Sequence, residues 1–191
     1  IYSYPSIDSL PEFYAELVRT QLDYRYLRKS LGAVDGAINK LKEFKRKFVR
    51  DPGKLKQFYG RASSVIKKIK GNLDYLEEAR KVMKDFPAVK TSLYTVALYG
   101  LPNVGKTTVM GELTPSEAEI NTYPFTTKKI NIGYIINGND KIQILDTPGS
   151  LNRQDKMNKI EMQAELAIKY CADMIVFVYG PEEDMEKQDG L

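Results

Sequence analysis

A glycine-bounded loop from Gly100 to Thr108, with the letters GLPNVGKTT, limits the possible folds of this chain more than any other segment. An apolar, β-favouring run from Leu93 to Tyr99 precedes the loop, and a helix-compatible segment follows it to about Leu113. Strand, glycine loop and helix in this order are the context that the phosphate-binding pattern G-x-x-x-x-G-K-[ST] requires. The loop therefore predicts an α/β fold with a polyphosphate site. A plain glycine turn between a strand and a helix is the alternative.

The residue types in the loop suit this chemistry. The glycines let backbone N–H groups point inward at a polyphosphate, and the following helix adds the positive end of its dipole. The Lys106 ammonium is expected to reach the β and γ phosphates, and the Thr107 hydroxyl is expected to take one Mg²⁺ position. The predicted nucleotide-binding residues of the loop are Gly100, Leu101, Pro102, Asn103, Val104, Gly105, Lys106, Thr107 and Thr108.

A second phosphate-site motif, Asp146-Thr147-Pro148-Gly149, lies where a predicted strand ends. The strand, Lys141 to Leu145, returns from the hairpin signal Asn137-Gly138. An aspartate at the carboxyl end of a strand beside the phosphate loop can hold Mg²⁺ through water, and the Gly149 N–H can contact a γ-phosphate. Asp146 and Gly149 therefore join the predicted nucleotide-binding set. A Thr- and Pro-rich loop ending in YPFTT at 123–127 separates the two motifs, and their joint presence argues against a chance D-x-P-G turn.

The rest of this half predicts a doubly wound sheet of which only the first part is present. The alternating residues from Ile130 to Ile136 predict a strand, Ile160 to Cys171 an amphipathic helix, and Met174 to Tyr179 a buried parallel strand. The strands fill about half of such a sheet, so the edge beside Met174 to Tyr179 is expected to be exposed and unstable by itself. We therefore expect the natural chain to extend beyond Leu191.

Residues 1–86 read as a bundle of four amphipathic helices with short connections. The first helix is expected from Ser9 to about Ser30 and to close at Gly32, and the second from Ala33 to Arg50. Asp51-Pro52-Gly53 and Gly71-Asn72 are the next predicted breaks, and Phe86-Pro87-Ala88 is the predicted linker. The two domains are thus expected at 1–86 and 87–191.

Charge divides the chain at the same place. Residues 1–86 carry a net charge of +8 and residues 87–191 a net charge of −4. The segment from Lys40 to Lys70 contains twelve basic residues and only two acidic ones, which predicts a surface that binds a polyanion. RNA is a better candidate than a membrane surface, because the segment has no Trp of the kind that interfacial helices usually carry. A merely solvated lysine face is the alternative. The predicted RNA-binding residues are Lys42, Lys45, Arg46, Arg50, Lys56, Arg61, Lys67 and Lys68.

Composition excludes several other classes. The 191 residues contain one cysteine and no histidine, which argues against disulfides and against a histidine-activated thiol, so Cys171 is expected to be a small core residue. No apolar run is long enough to span a bilayer, and charged residues interrupt the first twenty positions, so neither a membrane span nor a signal peptide is expected.

The motifs GLPNVGKT, YPFTT and DTPG in this order resemble the Obg-type GTPases. The leader PSIDSLPEFY at 5–14, with LGAV at 31–34 and LDYL at 73–76, looks more narrowly like the Nog-type nucleolar GTP-binding proteins and their archaeal relatives. The resemblance implies a helical domain followed by the N-terminal half of a P-loop GTPase (G) domain. It also implies GTP hydrolysis with Mg²⁺ in assembly of the large ribosomal subunit, with ribosomal RNA and the subunit precursor as partners. The location is then cytoplasmic for an archaeal chain and nucleolar for a eukaryotic one.

The resemblance also assigns individual roles. Thr127, with Thr126 as the alternative, would complete the Mg²⁺ shell, and the catalytic residues would be Lys106, Thr127 and Gly149. Asn103 lies where related GTPases use asparagine to bind K⁺. Ser150 follows the second motif where Ras-like proteins place a water-positioning glutamine, and Gln154 is not expected to replace it. Hydrolysis is therefore expected to be slow without a partner, and the half domain present here can be inactive by itself.

Two further functional interpretations remain open. The N-K-x-D motif that would select guanine does not occur in these 191 residues, so an ATPase is one alternative. A non-enzymatic RNA-binding assembly factor with an incomplete nucleotide site is the other.

Overall fold

The computed structural model describes residues 7–48, 52–114, 130–138, 140–148 and 158–180. They form two compact units: a helical unit that contains Val18–Asp85, and a sheet unit that contains Asp8–Leu17 and the residues from Phe86 onward. The helices are α1 (Glu12–Gln21), α2 (Tyr24–Phe48), α3 (Leu55–Lys68), α4 (Lys70–Lys84), α5 (Lys106–Leu113) and α6 (Lys159–Cys171). The strands are β1 (Thr95–Tyr99), β2 (Asn131–Asn137), β3 (Asp140–Asp146) and β4 (Met174–Phe177). The predicted fold class is confirmed.

In the helical unit, the long helix α2 packs against both α3 and α4. The predicted break at Gly32 is wrong, because α2 runs through that glycine and the chain breaks earlier, at Asp23. The Asp23 Oδ1 accepts a hydrogen bond from the Tyr26 N–H at 2.9 Å, which stabilises the first turn of α2. A single glycine costs only about 1 kcal/mol in a helix interior, and the packing of this 25-residue helix can outweigh that cost.

The predicted break at Gly71-Asn72 is also wrong. Only Ile69 separates α3 from α4, and Gly71 lies inside α4. The side chain of Asn72 explains part of this difference, because its Nδ2 donates to the buried Ser30 Oγ of α2 at 3.1 Å. A buried hydroxyl needs such a partner, so this bond favours a helical Asn72 held against α2. Sequence spacing alone did not reveal this contact.

The sheet unit has a mixed four-stranded sheet in the order β2-β3-β1-β4. β1 is parallel to β3 and to β4, whereas β2 is antiparallel to β3, as the hairpin signal predicted. On one face α5 packs through Met110 against Leu98 and Ile144. On the other face α6 contributes Ala164 and Ala167 to a larger core.

The first half of α1 belongs to this larger core. Phe13 is 1% exposed and Leu17 is fully buried, and both cluster with Ala97 and Leu145 of the sheet. The Tyr14 hydroxyl donates to the Val89 carbonyl at 2.8 Å and lies 3.1 Å from the Pro87 carbonyl. All of residues 1–86 were predicted to form the helical domain, but these side chains pack with the sheet. The predicted linker at Phe86-Pro87-Ala88 begins the sheet unit, and Phe86 packs against its core.

The predicted burial of the last strand is wrong. β4 is parallel to β1, but it ends at Phe177 and its residues Met174 and Ile175 are 49% and 55% exposed. Among the described residues β4 pairs with a neighbour on one side only, so no further strand covers its outer edge. An apolar strand is buried only when both its edge and its faces are covered, and sequence composition does not supply the covering elements.

Candidate nucleotide-binding site

The loop after β1 has a backbone that only certain residues can adopt. Gly100, Asn103 and Gly105 all have positive φ angles, of 147°, 66° and 95°. A Cβ atom on Gly100 would lie 2.5 Å from the Val178 carbonyl oxygen, so a side chain there meets rigid backbone. Gly105 is the N-terminal cap of α5 in the left-handed conformation, which aims the first turn of α5 at the loop. The loop thus has the curled backbone that its glycines predicted.

Lys106 lies inside this curl. Its side chain is 6% exposed, and its Nζ donates to the Leu101 carbonyl at 2.6 Å and to the Gly100 carbonyl at 3.1 Å. Burial lowers the pKa of the Lys106 ammonium, and the nearby Asp146 carboxylate acts in the opposite direction. A phosphate group would oppose the lowering in the same way, because an adjacent negative charge favours the protonated amine.

Asp146 ends β3 beside Leu98 of β1, which places its carboxylate next to the loop. The residue is 4% exposed, and its Oδ2 accepts a hydrogen bond from the Thr107 Oγ1 at 2.7 Å. The following residue, Thr147, is 2% exposed and donates from Oγ1 to the Leu98 carbonyl at 2.7 Å. This second bond attaches the start of the DTPG motif to β1.

The donor set fits a hydrated magnesium ion. Mg²⁺ prefers oxygen ligands and commonly keeps several waters, so one hydroxyl, one carboxylate and substrate phosphates are sufficient protein and ligand contacts. Thr107 and Asp146 supply that hydroxyl and carboxylate, and their mutual hydrogen bond leaves the lone pairs of the Thr107 oxygen free for a metal. These two residues could therefore hold Mg²⁺ beside the phosphates.

The predicted site residues do not all have the same environment. Leu101 and Val104 are 7% and 9% exposed, so their side chains pack in the protein, and only their backbone groups can face a ligand. Pro102 is half-buried, whereas Asn103, Thr107 and Thr108 are exposed. Gly149, Thr126 and Thr127 lie outside the described residues, as do Ser150 and Gln154.

Asn131, the first residue of β2, also belongs to this site, although it was not among the predicted site residues. Its Nδ2 donates to the Asp146 Oδ2 at 2.9 Å, so this oxygen accepts from both Asn131 and Thr107. A signal was available: in an antiparallel hairpin, counting back from the Asn137-Gly138 turn pairs residue 131 with residue 146. The structure has that register, Asn131 opposite Asp146 and Asn137 opposite Asp140.

The predicted RNA-binding surface lies on the helical unit. Lys45, Arg46, Lys56, Arg61, Lys67 and Lys68 are exposed and Lys42 is partly exposed, while Arg50 lies outside the described residues. A groove of about 520 Å³ between α2 and α3 is lined by small residues such as Gly36 and Ser64 and has Lys40, Arg61 and Lys68 among its lining residues. Glu43 is the one acidic residue of that lining.

Within the described residues, no helix combines the length and apolar content that crossing a membrane would require.

Two family models match adjacent parts of the chain. The NOG1 N-terminal helical domain matches residues 1–90, and the 50S ribosome-binding GTPase family matches residues 95–190. Among curated proteins, an uncharacterized protein of Methanocaldococcus jannaschii is 42% identical over 94% of this chain and 53% of its own length. Nucleolar GTP-binding protein 1 of Candida glabrata is 31% identical over 98% of this chain and 30% of its own length.

Among solved structures, the G domain of the T. maritima FeoB iron transporter is 24% identical over 50% of this chain and 60% of its own, with a TM-score of 0.41. The chain spans about half the length of the archaeal relative and less than a third of the fungal one. Its two family matches together cover nearly all of its residues in the order that the motifs predicted. The chain belongs to the 50S ribosome-binding GTPase family, and its first 90 residues match the NOG1 N-terminal helical domain.

Proposed function

We propose that the protein to which this chain belongs binds and hydrolyses GTP as a conformational switch in assembly of the large ribosomal subunit. The main support for this proposal is the 2.7 Å hydrogen bond from Thr107 to Asp146. The buried Lys106 lies beside it and donates to carbonyl oxygens of the loop. The bond from Thr107 to Asp146 brings together the two phosphate-site motifs that lie 39 residues apart in the chain. The family match and the names of the relatives support guanine as the base and ribosome assembly as the process.

The residues divide the work of phosphoryl transfer. The Lys106 ammonium neutralises charge on the β and γ phosphates, and the N–H groups of the curled loop bind the phosphate oxygens. Bound magnesium supplies further neutralisation of the charge that develops on the phosphates. Thr107, Asp146 and Thr127 would hold it, and the Gly149 N–H would contact the γ-phosphate that water attacks in line. Because Ser150 stands where a water-positioning glutamine would be, we expect slow turnover until a partner binds.

The test is GTP turnover by the full-length protein with Lys106→Ala or Asp146→Ala. Both variants should lose hydrolysis, because each removes a charge that faces the phosphates or their metal. Lys169→Ala is the matched control, since this exposed lysine of α6 lies over the Tyr170 ring, away from the loop. Unchanged turnover in either site variant would refute the assignment. Titration with fluorescent GDP and ATP separates a GTPase from an ATPase, and binding of neither would favour a non-enzymatic assembly factor.

A potassium ion at Asn103 is a further part of the proposal. Asn103 has a φ of 66° at the exposed tip of the loop, where its side chain oxygen could coordinate a monovalent cation next to the phosphates. Asparagine is also favoured at this position simply because it tolerates the left-handed conformation. Turnover that is faster in K⁺ than in Na⁺, with the difference abolished in Asn103→Ala, would support the ion; equal rates in the two salts would remove it.

The helical unit is proposed to contact ribosomal RNA through its basic surface. The lysines and arginines that line or border the α2–α3 groove are exposed and outnumber Glu43, so phosphates meet favourable charge. Affinity for structured RNA should fall steeply as the salt concentration rises. The double variant with Lys67→Ala and Lys68→Ala should reduce the magnitude of the slope of log affinity against log salt by about 0.7 to 0.9 for each phosphate that is no longer neutralised. Lys169→Ala should leave the slope unchanged. Binding that does not depend on salt would contradict phosphate contact.

The name of the fungal relative supports a nucleolar location if the protein is eukaryotic. If it is archaeal, we propose that it acts in the cytoplasm.

A further inference from the structure

Three elements of the sheet unit meet at a single carboxylate oxygen. The Asp146 Oδ2 at the end of β3 accepts from Thr107 of α5 at 2.7 Å and from the Asn131 amide of β2 at 2.9 Å. Asp146 is 4% exposed, and a buried carboxylate is strongly destabilised unless hydrogen bonds compensate for the water it gives up. The residues that hold this carboxylate therefore decide which way it points.

We propose that Asn131 is a positioning residue that orients the Asp146 carboxylate for the magnesium ion of the bound nucleotide. The inference rests on the proposed function of the site, and it assigns to β2 a role that neither phosphate motif contains. Asn131 itself contacts neither the nucleotide nor the metal; it acts through Asp146.

The position of Asn131 is set by the register of the β2–β3 hairpin. Asn131 lies directly opposite Asp146, and the seven cross-strand pairs run without interruption to Asn137 opposite Asp140. Slipping the register by one residue would turn the Asn131 side chain to the other face of the sheet. Gly133 supports the same face: a Cβ there would lie 2.6 Å from the Met110 side chain, so the glycine lets α5 approach β2 closely.

The two donors leave a defined part of the site for a metal. Both hydrogen bonds fall on Oδ2, so Oδ1 stands outside this pair and could contact water in a metal's shell. The Thr107 hydroxyl has one hydrogen, which it gives to Asp146, and its lone pairs then face away from that bond. Without the Asn131 amide, Thr107 alone would hold Oδ2, and only one of the two bonds that orient the carboxylate would remain.

The test measures how strongly magnesium slows the release of fluorescent GDP from the full-length protein. Release is followed with excess Mg²⁺ and with a chelator, and the ratio of the two rates is the Mg²⁺ effect. The variants are Asn131→Ala, the similarly sized Asn131→Leu and Asp146→Ala, alone and combined with Asn131→Ala. Asn72→Ala is the matched control, because it removes an asparagine side-chain hydrogen bond in the helical unit.

We expect Asn131→Ala and Asn131→Leu to lower the Mg²⁺ effect about tenfold, because each variant loses one hydrogen bond to a charged group and such a bond corresponds to about a factor of ten. Release with the chelator should change little, and Asn72→Ala should have the wild-type ratio. In the Asp146→Ala background Asn131→Ala should have no additional effect, because the residue acts through that carboxylate.

Three results would overturn the inference. An Asn131→Ala protein with the wild-type Mg²⁺ effect would show that Thr107 alone orients the carboxylate. Equal acceleration of release with Mg²⁺ and with the chelator would show a general structural role. A wild-type protein that does not bind GDP, or that releases it at the same rate with and without Mg²⁺, would refute the proposed function and this inference with it.

Discussion

Gly100 should be the least replaceable glycine of the phosphate loop, because two separate costs coincide there. Its φ of 147° lies in a region that side chains rarely adopt, and a Cβ would lie 2.5 Å from the Val178 carbonyl oxygen. The oxygen cannot easily move, since the Val178 N–H is hydrogen-bonded to the Tyr99 carbonyl at 2.8 Å. Backbone strain of about 2 kcal/mol and overpacking of about 2 kcal/mol predict that Gly100→Ala lowers the free energy of unfolding by about 4 kcal/mol.

Two other glycines of the same unit are matched controls for these two costs. Gly105 has a φ of 95° but nothing within 4 Å of a Cβ, so Gly105→Ala should introduce only the backbone strain, about 1 to 2 kcal/mol. Gly111 lies inside α5 with nothing within 4 Å, so Gly111→Ala should stabilise the unit by up to about 1 kcal/mol.

Hydrogen exchange of the β1 amides suits this comparison, since it reports opening of the sheet unit even if the two units unfold separately. For amides that exchange by global opening of the unit, protection should fall roughly thousandfold in Gly100→Ala and about tenfold in Gly105→Ala, and rise severalfold in Gly111→Ala. If the amides of Gly100→Ala were as well protected as those of Gly105→Ala, the contact with Val178 would cost nothing and the predicted overpacking would be refuted.

Three further predictions concern side chains outside the loop. Burial, with a smaller effect of Cys171, raises the pKa of Tyr14 to about 12, although the hydrogen bond to Val89 acts to lower it. The protonated Tyr14 should therefore contribute fully to stability below about pH 10, and this contribution should fall as the pH rises toward 12. In unfolding experiments, Tyr14→Phe should show a smaller loss of stability over that pH range. Burial, with a smaller effect of Asp173, raises the pKa of the Cys171 thiol to about 11. Near pH 8 a disulfide reagent should therefore label Cys171 roughly a hundredfold more slowly in the folded chain than in the urea-unfolded chain. Equal labelling rates would contradict the burial of this thiol. The Asn158 side chain accepts from Ile160 and Glu161 in a capping box, so Asn158→Ala should cost about 1 kcal/mol in the thermal or urea stability of the sheet unit, whereas Glu165→Ala on the exposed face of α6 should cost little.

Local patterns predicted the parts of the fold that depend on near neighbours in sequence. Contacts within a few residues form the glycine loop, the turn of the β2–β3 hairpin at Asn137-Gly138 and the start of the helix at Lys106. The residue types at these positions are therefore sufficient to predict them. The helix boundaries at Gly32 and Gly71 were mispredicted for the opposite reason. A glycine weakens a helix by only about 1 kcal/mol, and side chains from another helix, such as Asn72 on Ser30, can outweigh that.

Residue identity and spacing were thus sufficient to predict the nucleotide motifs, the division into a helical part and an α/β part, and the family. The packing of Phe13 and Leu17 with the sheet became visible only in the folded chain. The same holds for the Asp146 oxygen that accepts from both Asn131 and Thr107. Each of these contacts joins residues far apart in the chain. The free energy of such contacts comes from burial and hydrogen bonding between distant segments, so local sequence propensity cannot predict them.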